Sequence, residues 1–374
     1  MKRVSFENEF NGKFIPEDQI DLFYEKMKDT VVKICAILDH IEANDENEDV
    51  EMNDQEYVSS TRQARKQAAQ NIEVVKSSVG TGVIIKKGYV LTAEHVVAGA
   101  KVVFIRNVEK NDYYRCSIVK SNENTDLALL EIEKKKVKFL TRRVELTPRN
   151  DTMVGSQALH IGHPNDYDYS FLRGDVAHPR RRCEGNMAAE FQLNNLHGAE
   201  GSSGGPIFDA GGLLIGILLS AQSHTGLTNC AHMDVVKDFL EECFPGQKSK
   251  KSKSRAIDDD NDDDEKEPKY SVKVSGFDGK DVEDEYSNEE EENSNDEEED
   301  EDEEKEDGDL VLFKLAKLFG KCGKILRIFF PLDKTTKKRK GYALIEFKDE
   351  AGVNKALLKD ETTFFQKIYK VKTV

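Results

Sequence analysis

A mainly β protein of short antiparallel strands, followed by a small α/β domain, is the fold class that this 374-residue chain predicts. Three observations carry it. Between residues 30 and 132, brief runs of β-branched and aliphatic residues alternate with Gly, Asn, Asp and Lys turns, the pattern of a barrel or sandwich. After Tyr270 the pattern changes to strand, helix, two strands, helix and strand, a βαββαβ order. Between these regions lies a stretch of charge blocks with almost no apolar residues, the mark of a linker.

The elements follow in order. Residues 1–28 form a polar lead punctuated by Phe6, Phe10 and Phe14, with a short helix predicted after Pro16, where Ile20, Phe23, Tyr24 and Met27 recur at helical spacing. A β-branched strand, Thr30 to Ile37, opens the main domain, expected over residues 29–246. An acidic, Asn- and Gln-rich insertion at 39–73 interrupts it. Strands resume at Gly82–Ile85, Tyr89–Leu91, Val102–Ile105 and Ala128–Ile132. The series ends with Leu213–Leu218 and a helix from Met233 to Cys243, closed by Phe244-Pro245-Gly246. The linker spans 247–267; its basic half, Lys248 to Arg255, reads either as a nuclear-localisation signal or as a solvated spacer. The α/β domain is expected over 268–374, with an acidic insertion at 281–308.

Charge is concentrated in one place. The chain carries −17, but residues 281–309 hold twenty Asp or Glu and one Lys, so the remainder is near neutral. Such a tract cannot bury a core and is expected to be disordered. Lengthening a loop costs only about 0.6 kcal/mol per doubling, so the domain around it can still fold. The start of the chain lacks an apolar leader, and no stretch is long enough to cross a bilayer. Six cysteines (Cys35, Cys116, Cys183, Cys230, Cys243, Cys322) show no C-x-x-C spacing. They read as reduced thiols, and with the basic octapeptide they predict a nuclear or cytoplasmic protein that is not secreted.

Three strings carry chemistry. Thr92-Ala93-Glu94-His95 closes an apolar run, Thr125-Asp126-Leu127 opens another, and Gly201-Ser202-Ser203-Gly204-Gly205-Pro206 follows. They supply His, Asp and Ser in the order of a chymotrypsin-type catalytic triad. A serine alkoxide does not exist at neutral pH, so Ser203 needs His95 as proton acceptor. His95 in turn needs a buried Asp126 to fix its tautomer and stabilise the imidazolium. Gly201 permits the turn that aims its N–H, with that of Ser203, at a developing oxyanion.

With Val79–Val97, Asn124–Ile132, His160–Pro164, Gly201–Ile217 and Asn229–Leu240, the chain from about Asp29 to Cys243 resembles the trypsin-like serine proteases, and among them the Deg/HtrA branch. That resemblance implies two six-stranded antiparallel barrels with the triad between them. It also implies a long loop where 39–73 falls, which regulates access, binds partners or is a tolerated surface insertion. A small aliphatic residue is the implied cleavage preference; relatives assemble through N-terminal aromatics, and Phe6, Phe10 and Phe14 are either candidates for that role or free aromatics of a floppy lead. There are departures. Ser202 stands where zymogen-type relatives carry an Asp, arguing against activation by propeptide removal. Glu94 replaces a small residue, and His197 occupies a position that lines the specificity pocket in relatives. No PDZ-like segment follows, so substrate tethering is expected to come from elsewhere.

Lys340 to Phe347 matches the RNP1 string, and Val272 to Phe277 has the length and alternation of RNP2. Helices at 309–323 and 350–358 and strands at 325–330 and 368–374 complete an order that resembles the RNA-recognition motif (RRM). Of three positions where rings stack bases, Tyr342 fills one, while Lys273 and Leu344 fill the others; Phe347 is expected to face the core. Lys337, Lys338, Arg339 and Lys340 are candidates for phosphate contact. RNA and protein docking both remain open, basic nuclear proteins being a candidate partner of the acidic tract. The resulting expectation is an intracellular serine endopeptidase with an RRM-like module, a peptide or protein substrate, and no metal or nucleotide cofactor. The alternative is a non-catalytic scaffold built on the same two folds.

Overall fold

The computed structural model describes residues 2–4, 14–41, 74–134, 137, 140, 142–147, 152–182, 189–222, 225–245, 270–276, 308–336, 338–360, 362–364 and 367–374. Phe6, Phe10, Cys183, Lys337, the basic octapeptide and nearly all of the two acidic insertions lie outside them. The chain divides into two compact units, one built on residues 1–38, 77–109 and 113–266 and the other centred on 267–374.

Two closed antiparallel barrels make the first unit. Strand β1 (Lys2–Val4) precedes them. The first barrel comprises β2 (Val31–Ile41), β3 (Val74–Lys86), β4 (Tyr89–Thr92), β5 (Val102–Asn107), β6 (Asp112–Asn122) and β7 (Leu127–Ile132). These run in the order β6-β5-β2-β3-β4-β7, and a β6–β7 pairing closes the ring. Gly88, at φ +80°, makes the tight β3–β4 turn that puts Val83 opposite Leu91. Strand β8 (Arg142–Leu146) joins the barrels, pairing parallel with β1 and β13. The second barrel comprises β9 (Gln157–Gly162), β10 (Ser170–Arg182), β11 (Ala189–Asn194), β12 (Pro206–Phe208), β13 (Leu213–Gln222) and β14 (Leu227–His232). Its order is β13-β12-β9-β10-β11-β14, closed by β13–β14. The choice between barrel and sandwich is thus settled as two chymotrypsin-like barrels, because ring closure leaves neither sheet with an open edge.

Barrel closure explains why these strands read as nearly continuous apolar runs. Leu127, Ala128, Leu129 and Leu130 of β7 are all buried, one face in the barrel and the other under neighbouring elements. The helix Ile20–Met27, predicted from its spacing, buries Phe23 and Met27; the Phe23 ring meets Phe171 and Phe208 edge-on at 6.4 and 6.1 Å. The helix Met233–Cys243 buries Met233, Val236, Phe239 and Leu240, and its first turn is capped where His232 Nδ1 accepts the Asp234 N–H at 3.2 Å.

The second unit is an antiparallel sheet in the order β18-β19-β15-β17-β16, with β15 (Ser271–Ser275), β16 (Ile325–Phe329), β17 (Tyr342–Phe347), β18 (Thr362–Phe364) and β19 (Lys367–Thr373). Helices Gly308–Gly320 and Glu350–Leu357 complete the βαββαβ order; the first ends three residues earlier than expected. Asp349 caps the second by accepting the Gly352 N–H at 3.1 Å. Strand β18, a short partner of β19, is additional to the expected elements.

Candidate active site

His95 sits in the four-residue helix Glu94–Val97 that follows β4, and Asp126 in the turn before β7. Asp126 adopts a left-handed conformation, φ +49°, one that Asp tolerates better than most side chains. Strands β4 and β7 pair directly, Thr92 opposite Ala128, which brings the ends of both strings together. The Asp126 carboxylate then holds His95 twice: Oδ1 accepts the His95 backbone N–H at 2.9 Å, and Oδ2 lies 2.7 Å from Nδ1. The Asp126 carbonyl also accepts the Glu94 N–H at 3.1 Å. A proton on Nδ1 leaves the Nε2 lone pair free to accept another.

Asp126 is only half-buried, against the expectation of a buried carboxylate, and the His95 ring is more open still. The cleft beside them stays accessible to solvent. The bond to Asp126 is the main reason that the His95 pKa is raised; burial opposes it, and the Asp126 and Glu94 charges add to it. Glu94 therefore acts on His95 by charge, as the weakest of the four influences. Burial, with the charges of Asp126 and Glu123, raises the Glu94 carboxyl in turn.

Ser203 lines the same cleft, a cavity of about 490 Å³ bordered also by Gly198, Ala199, Glu200 and Leu218 to Ala221. Its hydroxyl donates to the Leu219 carbonyl at 3.1 Å. Passing the proton to His95 requires that bond to be exchanged, in keeping with catalytic contacts that tighten only around substrate. The strap before Ser203 is organised by its other amides: Ser202 N–H bonds Ala199 O at 2.9 Å, Gly204 N–H Leu218 O at 2.8 Å and Gly205 N–H Ser202 O at 3.1 Å. Among the described residues, the Gly201 and Ser203 N–H groups have no acceptor. Gly201 sits at φ +88°, and a Cβ there would come within 2.2 Å of the His163 carbonyl oxygen, so no other residue fits. Ser202 is buried, and its hydroxyl accepts the Ala199 N–H at 3.3 Å, a local brace in place of a pairing with a chain terminus. His197 is exposed and does not border the cleft.

Residues that the sequence did not single out support this strap. Thr81 of β3 donates its hydroxyl to Gly201 O at 2.7 Å, accepts the His163 N–H at 3.1 Å, and gives its own N–H to Ser203 O at 2.9 Å. His160 is fully buried; its Nδ1 lies 3.0 Å from Pro206 O, and burial pushes its pKa down to about 4. Between that value and the unfolded 6.5, the unfolded chain binds a proton that the folded chain does not. Stability is therefore full above pH 6.5 and is lost as pH falls toward 4, by about 3 kcal/mol from this group. Urea midpoints are expected to drop markedly between pH 7 and pH 4.5, and a flat midpoint would contradict this account.

In the second unit, β17 alternates, with Ala343, Ile345 and Phe347 buried and Tyr342, Leu344 and Glu346 on the open face. Phe347 thus faces the core as expected. Lys273 is exposed on that face, its Nζ 4.0 Å from the Tyr342 ring centre, and Lys372 lies opposite it in register. Phe329, opposite Leu344 on β16, adds a half-buried ring that the RNP strings did not reveal. Lys338 and Lys340 are exposed, but Arg339 is corrected as a phosphate contact. It is buried, with its guanidinium 4.9 Å from the Phe330 ring centre, so the side chain is not presented to a phosphate in solvent.

Residues 80–217 match the trypsin-like peptidase domain family and residues 313–369 the RNA recognition motif family. Three curated relatives are each described as a probable periplasmic serine endoprotease, DegP-like. That of Hahella chejuensis is 30% identical over 172 residues, 44% of this chain and 35% of its own length. That of Marinomonas sp. is 32% identical over 152 residues, 40% and 31%. That of Pseudomonas putida (strain GB-1) is 33% identical over 141 residues, 37% and 28%. The chain therefore spans about a third of the length of the curated relatives it matches.

These relatives overturn the expected nuclear or cytoplasmic location, since the proteins sharing the peptidase sequence are periplasmic by description. Among the described residues Cys35, Cys116, Cys230, Cys243 and Cys322 are free of disulfides. Barrels with cores of fully buried aliphatic residues do not need disulfides, so unbridged cysteines were no guide to compartment. The chain carries a trypsin-like peptidase domain with DegP-like relatives, joined to a C-terminal RNA recognition motif.

Proposed function

We propose that the first unit is a serine endopeptidase. The observation that carries this reading is the double hold of Asp126 on His95, at 2.9 and 2.7 Å, on a cleft that Ser203 shares. Ser203 Oγ attacks the scissile carbonyl carbon while His95 Nε2 takes its proton. Asp126 keeps Nδ1 protonated and steadies the imidazolium. The Gly201 and Ser203 N–H groups receive the oxyanion of the tetrahedral intermediate. As that intermediate collapses, the C–N bond breaks and His95 returns the proton to the leaving amine. Water, activated by the same imidazole, then hydrolyses the acyl-enzyme. Peptides or proteins are the substrate class, and homo-oligomers are within the reading.

Covalent labelling by a fluorophosphonate tests it, because the probe reacts only with an activated serine. Wild type is expected to label and Ser203→Ala to remain blank. Absence of labelling in wild type, with or without added RNA or peptides, favours the scaffold alternative.

For the second unit, a sheet face bearing Tyr342, Phe329, Lys273 and Lys372 favours single-stranded RNA as ligand. Lys273 covers the Tyr342 ring, so a stacked base must displace it. Tyr342→Ala is expected to weaken RNA retention by about 1–3 kcal/mol, and Lys338→Ala with Lys340→Ala to flatten its salt dependence. Indifference to Tyr342→Ala with loss on removing the lysines would reduce the interaction to charge attraction.

A further inference from the structure

The first barrel buries two like charges side by side. Lys33 of β2 and Arg106 of β5 are direct cross-strand partners, and both are buried. Like charges facing each other across a ladder repel, and burial removes the water that would screen them. Their counter-charges come from the second barrel, from the loop between β9 and β10. Lys33 Nζ lies 2.9 Å from Asp166 Oδ1, and Arg106 reaches Asp168 Oδ2 at 3.3 Å. Asp168 also meets the fully buried His163 ring, Oδ1 to Nδ1 at 3.1 Å. Burial raises the Asp168 carboxyl, but the bond with His163 and the charges of Arg106, His163 and Lys33 outweigh it and hold the group below its usual range.

The loop held in this way takes up left-handed backbone, which costs Asn and Asp little and Tyr169 more. Asn165, Asp166 and Tyr169 all have positive φ, at 47°, 65° and 56°, without being glycine. Its backbone rests against the strap that precedes Ser203. Asn165 N–H donates to Glu200 O at 2.7 Å, and the His163 carbonyl packs on Gly201 closely enough to exclude a Cβ. The cations are buried, but the Asp166 and Asp168 side chains are 43% and 26% exposed, and such half-solvated pairs contribute little net stability. What the pairs do supply is a fixed position for a loop that would otherwise relax.

We infer that Lys33 and Arg106 are positioning residues: through Asp166 and Asp168 they fix the backbone of residues 163–165 against Glu200–Gly201, and so set the direction of the Gly201 and Ser203 N–H groups. The first barrel thereby shapes the oxyanion-binding strap of the second across the junction between them. This rests on the reading of those two N–H groups as the oxyanion site.

The test uses the full chain and the near-isosteric Asp168→Asn, with Lys33→Met beside it. Amide hydrogen exchange over residues 198–204 is expected to speed up about tenfold, while strands β12 and β14 keep wild-type protection. This readout does not depend on catalysis. Turnover of a neutral ester adds a second: kcat is expected to fall about 10²-fold with KM nearly unchanged, the pattern of a lost transition-state contact. Arg106→Lys, which keeps the charge, should show a smaller change in both, and Arg106→Gln takes the place of Asp168→Asn if that variant does not fold. Unchanged exchange at 198–204 in a folded variant, or faster exchange spread evenly over both barrels, overturns the inference. An inert wild type whose strap still loosens in the variants would instead sink the peptidase reading and leave the positioning intact.

Discussion

Ser203→Ala is expected to lower peptide or ester turnover by about a million-fold while leaving the fold intact, the largest effect of any single change in this chain. Removal of Oγ takes away the atom that forms the acyl bond, and no neighbouring group replaces it. The hydroxyl donates to the Leu219 carbonyl, so its loss leaves that acceptor open to the cleft and to water. The thermal midpoint should therefore barely move. Residual activity of about 10³- to 10⁴-fold over water is expected, because the Gly201 and Ser203 N–H groups remain in the variant's strap. Substrate should still bind. The measurement is kcat and KM on one peptide for both proteins, alongside fluorophosphonate labelling. A variant retaining even a hundredth of wild-type kcat would show that Ser203 is not the nucleophile.

Asp126→Asn carries the second-largest expectation, a fall in kcat of about 10⁴-fold. An amide at this position can still accept the His95 backbone N–H, but it no longer dictates that Nδ1 carries the proton. It also withdraws the charge that steadies the imidazolium. The pH dependence gives a second handle with a fixed sign. A general base works only when neutral, and the His95 pKa is raised above 6.5, chiefly by its bond to Asp126. The acid limb of the wild-type kcat/KM profile should therefore fall on the alkaline side of 6.5. In Asp126→Asn the main cause of that rise is gone, and the limb should move to lower pH even as the plateau collapses. A pH–rate profile from 5 to 9 on both proteins separates the two effects. An acid limb that stays in place would mean that Asp126 does not set the His95 titration. Glu94, the remaining carboxylate acting on His95, would then be the next group to replace.

Much of this architecture was legible beforehand because it is locally encoded. Gly201 and Gly204, at φ +88° and +81°, are glycines because their backbone conformations require it, and that requirement is visible in a short string. Thr92 to His95 and Asn124 to Ile132 are adjacent in the ladder, so a strand–turn pattern predicts their meeting. The βαββαβ order was likewise carried by periodicity, down to Phe347 on the buried side of its strand. The rest depended on what covers what. Lys33 interrupts an apolar strand, yet it is buried because a loop more than a hundred positions later lies over it. Arg339 belongs to a basic run and was a candidate for phosphate contact, but it is buried against Phe330. Asp126 was expected to be buried and sits on an open cleft, and Phe329 reached the sheet face without any motif to mark it. The sequence by itself therefore determined the two folds, the strings that carry His95, Asp126 and Ser203, and the glycine turns, all governed by neighbouring backbone geometry. Tertiary structure alone decided which charges are buried, which hydroxyl faces which carbonyl, and which loop of the second barrel meets Lys33 and Arg106 of the first, because burial and charge pairing are properties of segments that meet only after the chain has folded.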